Sequence, residues 1–235
     1  MTGTRASGRA GRQSYQRRRQ TAKVTERPRW FKDRQRRHPT LTRRFIRTRF
    51  GAMIGPIVKK DIPAFSAVAL TTRGPYWKLS DVFARLRARL AEAGLKPTGM
   101  PLGLFYDDPA GVPPSETRYS ICYPIDGALS STAQRALGVA DALRAADAAA
   151  CAPPSGDVIS LLEFPAAVAA VVEYEGPAAD SPTVYEHLRS WIERTASVAQ
   201  GAPRELYLAE PGTLGRGLMH VEVQQPLAGV TAREG

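Results

Sequence analysis

One acidic residue, Glu205, lies in a short apolar segment and is the strongest candidate for chemistry. The run Glu205-Leu206-Tyr207-Leu208 alternates in character, which predicts a β-strand with Glu205 and Tyr207 on one face. We expect Leu206 and Leu208 to point toward the helices and Glu205 with Tyr207 to occupy the opposite face. A carboxylate beside aromatic rings suits a cationic or amphipathic ligand, because it adds charge pairing to cation–π contact.

An internal repeat predicts what surrounds this glutamate. A shift of 102 residues superimposes two stretches of the chain without a gap. The matched positions include Pro63 with Pro165, Gly74-Pro75 with Gly176-Pro177, Phe83 with Tyr185, Leu86-Arg87 with Leu188-Arg189, Pro101 with Pro203, and Phe105 with Tyr207. The same register sets Gly103 opposite Glu205, which predicts space beside the carboxylate. Without the repeat, a solvated strand residue or an ion pair with Arg204 or Arg216 is the alternative interpretation of Glu205.

Aromatic residues supply the remaining walls of the predicted site. The candidates for ligand contact, beside Glu205, Tyr207 and Gly103, are Phe105, Tyr76, Trp77, Tyr119 and Tyr123. Asp107 and Asp108 form an acidic pair, but an Asp-Asp-Pro run is typical of a turn. His38, His187 and His220 are scattered without metal-ligand spacing, and phosphate-loop and nucleophile-elbow motifs are missing. We therefore expect no metal and no cofactor, and binding in preference to catalysis.

The elements that position these residues follow from periodicity and turn signals. In the first copy we predict strands at Ala64–Thr72, Leu102–Tyr106 and Arg118–Ile125, a Gly74-Pro75 turn, and a helix at Leu79–Ala93 capped by Ser80 and stopped by Gly94. In the second copy we predict strands at Val158–Tyr174, Glu205–Leu208 and Met219–Pro226 and a helix from about Thr183 to Ser197. The Ala-rich stretch Ser130–Ala152 predicts a linker helix.

These elements define an α+β domain over residues 55–227. It consists of two pseudo-twofold-related strand-helix-strand-strand repeats, residues 57–127 and 157–227, joined by a linker at 128–156. We expect an antiparallel sheet with helices packed on one face. The cleft between the repeats is the natural site for a ligand.

The charge of the chain is concentrated before this domain. Residues 1–50 hold 17 of the 33 Lys and Arg against only Glu26 and Asp33, whereas the remainder has more acidic than basic residues. We expect this Arg-rich arm to be disordered, since it cannot bury enough apolar surface to fold. An alternative start at Met53, a phosphate-binding arm for nucleic acid, and a targeting presequence remain open.

The rest of the composition indicates a cytoplasmic protein. Cys122 and Cys151 are too few for a disulfide framework. The longest apolar run, residues 166–172, falls far short of the roughly 18 residues of a membrane span. We expect no membrane association.

Five segments carry a resemblance to a known family. The segments IPAFSAVALTTRGPYWKL, LGLFYDDP with RYSICYPI, YEGP and RELYLAEP occur in this order. Together they resemble the GyrI-like small-molecule-binding domain, which also serves as the effector-binding domain of AraC-type and MerR-type transcription regulators. The resemblance implies that Glu205, with Tyr207 beside it, lies in a cavity for cationic, lipophilic drugs. Unlike those regulators, this chain has no recognisable helix-turn-helix before the domain, so it looks like a stand-alone member.

Three functions follow from the resemblance. The first is a sensor or scavenger of small amphipathic or cationic molecules, linked to transcription regulation or to drug or toxin resistance. The second is a hydrolase that opens cyclopropanoid genotoxins with the same glutamate, because a desolvated Glu can act as a general acid or base. The third is a protein-interaction module, such as a gyrase inhibitor.

Overall fold

The structure is a computed structural model, and it describes residues 52–139, 156–215 and 217–229, with the backbone of 46–47 and 142–144. The described residues all belong to one compact unit, residues 43–235. The expected disordered arm, residues 1–50, lies outside the described residues except for 46–47, and so do Cys151 and most of the second half of the linker. No helix of the described part is long and apolar enough to cross a membrane.

The elements alternate short helices with long strands. In chain order they are β1 (Ile46–Arg47), β2 (Met53–Ile54), β3 (Val58–Ile62), β4 (Phe65–Arg73), a 3-10 turn (Tyr76–Lys78), α1 (Leu79–Glu92), β5 (Leu102–Phe105), β6 (Arg118–Ile125), α2 (Ser131–Leu137), β7 (Ala142–Arg144), β8 (Asp157–Phe164), β9 (Ala167–Pro177), a second 3-10 turn (Ala178–Asp180), α3 (Ser181–Arg194), β10 (Arg204–Tyr207) and β11 (Leu218–Pro226). The protein is therefore α+β, as predicted.

The strands form one 11-stranded sheet, and the three helices pack on one of its faces. The strand order is β1-β2-β9-β11-β10-β5-β6-β4-β8-β7, with β3 also paired to β9. All pairs are antiparallel except β7 with β8. The order β4-β6-β5 of the first repeat meets its mirror, β10-β11-β9, at the β5–β10 pair. The two repeats therefore join at the strand that carries Glu205.

The elements recur at the spacing seen in the sequence. Helices α1 and α3 begin at residues 79 and 181, and strands β5 and β10 begin at residues 102 and 204. The two 3-10 turns begin at residues 76 and 178. Each pair is separated by the same 102 residues, which is the register that the repeat predicts.

The outer strands are exchanged between the repeats. Strand β3 leads into β4 of the first repeat, yet it pairs with β9 of the second. Strand β8 leads into β9, yet it pairs with β4. Each repeat therefore completes the sheet of the other.

The two faces of the sheet have separate apolar cores. On the helix face, Val82, Phe83, Leu86 and Leu90 of α1 lie over β6, and Val184 and Leu188 of α3 lie over β9. The rear face carries a second cluster, which consists of Ala67, Ala69, Leu102, Leu104, Cys122, Leu162 and Phe164. Leu206 packs against this rear cluster, and Tyr207 belongs to the helix-face core. The prediction that Leu206 points toward the helices was therefore wrong, and Glu205 with Tyr207 takes that direction.

Several local predictions need correction. Ser80 lies inside α1, whose N-cap residue is Lys78 and has no side-chain capping bond. The predicted single strand Val158–Tyr174 is two strands, β8 and β9, which pair with other strands, because Pro165 has no N–H to donate and interrupts the run. Within the described residues of the linker, the helix covers Ser131–Leu137, where Ser130 caps its start and Gly138, in the left-handed conformation, ends it. Residues 142–144 form a strand instead.

The stop signal of α1 is confirmed. Gly94 has φ +70°, and the N–H of Leu95 donates to the carbonyl of Leu90 at 2.9 Å. This is the bonding of a helix end that closes through a left-handed residue.

Candidate ligand-binding site

Glu205 lies in the middle of the sheet, beneath both long helices. It pairs with Gly103 of β5 on one side and with Val223 of β11 on the other. Its side chain is 4 % exposed. The Tyr185 hydroxyl, from α3, donates to Oε1 at 2.7 Å, and the Tyr207 hydroxyl donates to Oε2 at 2.7 Å. Each carboxylate oxygen therefore has one phenolic donor.

The charge of this carboxylate has no cationic partner. None of the ion pairs formed among the described residues includes Glu205. Burial raises the pKa of Glu205, and the two phenolic hydrogen bonds oppose that rise by favouring the ionised form. Burial and the nearby carboxylate together hold the pKa values of Tyr185 and Tyr207 well above their usual range, so both phenols remain donors. The group is a desolvated acid held by neutral donors.

Aromatic rings enclose the carboxylate and its two tyrosines. The Phe83 ring of α1 meets the Tyr207 ring edge to face, with 5.0 Å between centroids. Tyr76 meets both Phe105 and Tyr119 edge to face, at 5.0 and 5.4 Å. The Tyr76 hydroxyl donates to the carbonyl of Asp107 at 2.8 Å, which fixes the ring. The ring contacts form two groups: Tyr76, Phe105 and Tyr119 form an aromatic cluster, and Phe83 contacts Tyr207 separately.

The space that was predicted beside Gly103 is occupied. A Cβ atom at Gly103 would lie 2.9 Å from Cε2 of Phe105 and 3.5 Å from Cε2 of Tyr207. The absence of a side chain at Gly103 therefore admits the Phe105 ring rather than leaving a void. Glycine at position 103 therefore leaves room for the Phe105 ring next to the residue that pairs with Glu205.

Trp77 and Tyr123 are the two remaining residues that the sequence predicted for the site. Trp77 is 74 % exposed. Tyr123 is buried, but its ring meets Phe83 at 6.1 Å, and its hydroxyl donates to Oε1 of Glu210 at 3.3 Å. Burial raises the pKa of Tyr123 to about 12. Tyr123 therefore supports the α1 side of the core.

Sequence reasoning missed Tyr185, which holds one oxygen of the carboxylate. Its helical spacing to Leu188 matches that of a core residue, so it drew no attention as a site residue. The available signal was its match with Phe83 in the repeat, where a hydroxyl is the only difference.

That signal extends to the whole group. The first repeat has Gly103, Phe105 and Phe83 where the second repeat has Glu205, Tyr207 and Tyr185. Both phenolic hydroxyls are thus present only in the repeat that has the carboxylate. Since the fold accommodates the apolar version, the polar version is additional to what the fold requires.

The acidic pair Asp107-Asp108 has a structural role. Arg118 Nη2 lies 2.7 Å from Oδ1 of Asp107, and the Arg118 backbone N–H donates to Oδ2. The hydrogen bond from Arg118 lowers the pKa of Asp107. Asp108 accepts from the N–H of Ala110, as expected of a turn. No group of three His, Cys, Asp or Glu side chains suited to a metal occurs in the described residues.

Glu205 does not line either of two open clefts, of about 570 and 550 Å³, whose walls consist of other residues. Tyr185 is only partly buried, so it is the donor nearest to solvent. Because Glu205 is 4 % exposed, a ligand that reaches it must displace side chains around it.

A buried carboxylate within aromatic rings, on an α+β sheet built from two repeats, defines a small-molecule-binding domain. The family comparison agrees, because the GyrI-like small molecule binding domain matches residues 56–228. The chain belongs to the GyrI-like family. None of the curated proteins matches it.

Solved structures show the same fold. The C-terminal domain of EcmrR is similar at a TM-score of 0.54 and 17 % identity, and the match covers 74 % of this chain and 98 % of that one. EcmrR in its complex with DNA has a TM-score of 0.54 at 15 % identity and 86 % coverage of this chain. This chain spans 63 % of that EcmrR chain. A hydrolase from Listeria innocua has a TM-score of 0.46 at 12 % identity, with 72 % and 91 % of the two chains covered.

Proposed function

We propose that this protein binds a small lipophilic cation, with Glu205 as its charge partner. The observation that carries this proposal is a carboxylate that is 4 % exposed and has phenolic donors but no ionic partner among the described residues. A bound cation would supply the missing charge. An uncompensated buried charge is costly, so the ligand would gain an interaction stronger than a surface carboxylate offers.

The surrounding rings support the same class of ligand. A lipophilic cation gains from apolar burial and from cation–π contact with Tyr76, Tyr185 and Tyr207. The ring of Tyr185 would move aside and then cover the ligand, while Tyr207 keeps one oxygen of Glu205 oriented. Binding would thus exchange ring-to-ring contacts for ring-to-ligand contacts.

In the cell this site would serve a sensor or scavenger in the cytoplasm. Its natural targets would be amphipathic drugs or toxins. Any action on nucleic acid would depend on the basic residues 1–50, because clustered Arg side chains bind phosphate without reading sequence.

The test uses the full chain and tetraphenylphosphonium, with neutral triphenylphosphine oxide as the uncharged comparison. We expect the cation, but not the oxide, to raise the melting temperature of the wild type, because a ligand of the native state stabilises it. Glu205→Gln should abolish the rise. Glu186→Gln, an exposed carboxylate beside Tyr185 in the sequence, should keep it. Equal shifts in the wild type and Glu205→Gln would reject Glu205 as the charge partner.

A second candidate function is hydrolysis, favoured by the raised pKa of Glu205. A carboxyl group with a raised pKa keeps its proton to a higher pH and can donate it to a leaving group, and its conjugate base can activate water. The substrate would be an electrophilic cyclopropanoid. Product formation that is lost in Glu205→Gln would establish this function, whereas saturable binding without product would leave binding alone.

A further inference from the structure

A buried guanidinium lies on the rear face of the sheet, directly behind Glu205. Arg204 is 5 % exposed, and its Nε donates to Oε1 of Gln224 at 2.7 Å. Its Nη2 is buried and has no hydrogen-bond partner. Burial lowers the pKa of Arg204 to about 10, so it remains a cation at neutral pH. One strong donor is thus unused, which is rare for a buried polar group.

None of the ion pairs among the described residues includes this guanidinium. The nearest acid in its hydrogen-bond chain is Glu222, which accepts from Gln224 Nε2 at 2.6 Å. Glu222 is already paired with Lys60, whose Nζ lies 2.7 Å from Oε2. The charge of Glu222 is therefore balanced by Lys60, while that of Arg204 is not.

The first repeat shows that the fold does not need this arginine. The positions 102 residues earlier than Arg204 and Gln224 are Leu102 and Cys122, which pair with each other in the same way. Both are apolar members of the rear cluster. A leucine therefore satisfies this location in the sheet, and the buried charge is specific to the second repeat.

An open cleft lies next to Arg204. Its volume is about 550 Å³, which is in the range of small-molecule sites, and its lining consists of Ala64, Phe65, Ser66, Glu163, Phe164 and Pro165. The Phe65 and Phe164 rings stack with 4.4 Å between centroids. The Cζ atom of Arg204 lies 5.6 and 5.4 Å from those centroids. Two rings that line the cleft are thus also neighbours of the guanidinium.

We infer that this cleft is a second ligand site, specific for a small amphipathic carboxylate whose apolar body packs on Phe65 and whose carboxylate accepts from Arg204. Phe65 is the more exposed of the two rings and is the one that moves to admit the ligand. A carboxylate supplies both the acceptor and the counter-charge that Arg204 lacks, and a charge-assisted bond of this kind is among the strong ones. This site is on the opposite face from Glu205 and selects the opposite charge.

Octanoate is the probe, with octanol and octylammonium as neutral and cationic comparisons. Calorimetric titration of the full chain should show octanoate binding and at least about tenfold weaker binding of octanol. Octylammonium is titrated into the Glu205→Gln variant, which lacks the proposed cation site, and should also bind at least about tenfold more weakly than octanoate. Arg204→Leu, which copies the first repeat, should weaken octanoate binding at least about tenfold and retain the native circular dichroism spectrum. Glu205→Gln should leave octanoate binding unchanged.

A second variant keeps the test independent of how Arg204→Leu folds. Ala64→Trp adds bulk at an exposed position of the cleft wall and leaves Arg204 in place. It should also weaken octanoate binding at least about tenfold. No binding to the wild type, equal binding of octanol, or full affinity in a folded Arg204→Leu or Ala64→Trp protein would each overturn the inference.

Discussion

Gly103 and Glu205 lie directly opposite each other in the antiparallel β5–β10 pair, where the two repeats meet. Gly103 has no side chain, and the Phe105 ring fills the space that a Cβ atom would occupy there. The site is therefore asymmetric although the fold around it is nearly symmetric.

Replacing Gly103 tests the fit at this boundary. A Cβ atom there would lie 2.9 Å from the Phe105 ring, so Gly103→Ala must displace a packed aromatic side chain. We expect the free energy of unfolding to fall by about 1–3 kcal/mol, as for overpacked cores. Urea denaturation measures the change. Gly111→Ala is the control, because its Cβ would meet only ordinary contact at 3.7 Å, and a loss of equal size there would contradict the packing explanation.

Removing either phenolic hydroxyl tests the support of Glu205. Tyr185→Phe and Tyr207→Phe each delete one donor, and Phe83 and Phe105 of the first repeat indicate that the ring alone fits. We expect the pKa of Glu205 to rise in both variants, and the folded state to lose about 1.5–3 kcal/mol when the carboxylate is ionised. Carbon-13 NMR of labelled Glu reports the pKa. The same substitutions in a Glu205→Gln background should cost less, and equal costs would show that the hydroxyls act elsewhere.

The dependence of stability on pH follows from the pKa of Glu205. Burial raises this pKa in the folded chain above its usual 4.5, so the folded state binds the proton more tightly than the unfolded state. Its contribution to stability is fully present below pH 4.5 and is lost as the pH rises through the raised pKa. Glu205→Gln cannot ionise at this position. The melting temperature of the variant minus that of the wild type should therefore increase as the pH rises. A difference that stays constant from about pH 4 to about pH 8 would contradict the raised pKa.

The ends of α1 and α3 predict a stabilising substitution. Ala196 has φ +50° and occupies the position in α3 that Gly94 occupies in α1. The N–H of Ser197 donates to the carbonyl of Ile192 at 3.1 Å, so the helix closes in the same way. Ala196→Gly should therefore raise the free energy of unfolding by about 0.5–1 kcal/mol, since glycine adopts this conformation without a Cβ penalty.

The matched substitution in α1 replaces glycine with alanine and should have the opposite effect on stability. Gly94→Ala should lower the free energy of unfolding by a similar amount, as measured by the same urea titration. If both substitutions change stability with the same sign, the backbone conformation is not the cause.

Much of the fold was predictable because its signals are local. Gly94 as a helix stop, β6 at Arg118–Ile125, and the cross-strand pairing of Gly103 with Glu205 are all confirmed. Strand β3 was missed because its Val-Lys-Lys-Asp-Ile sequence has no apolar alternation. Its formation depends on β9, a partner far along the chain.

The face of the sheet that carries the site was harder to predict than the residues that form it. Alternation correctly placed Glu205 and Tyr207 together, but it cannot state which face the helices cover. Leu206 was assigned to the helix face because that face was expected to hold the core, whereas both faces of this sheet are apolar. Tyr185 could not be recognised from helical spacing, because its ring packs against the helix-face core while its hydroxyl donates to the carboxylate of Glu205.

The exchange of β3 and β8 between the repeats limits how the protein can open. Val58 pairs with Val171 and Phe65 pairs with Phe164, so each half is held to the other by a full strand on both sides of the sheet. The two halves therefore cannot separate by a hinge motion unless the hydrogen bonds of these strand pairs break. Access to Glu205 must therefore come from side chains and helix ends, on the timescale of ring rotation and local fraying rather than of domain closure.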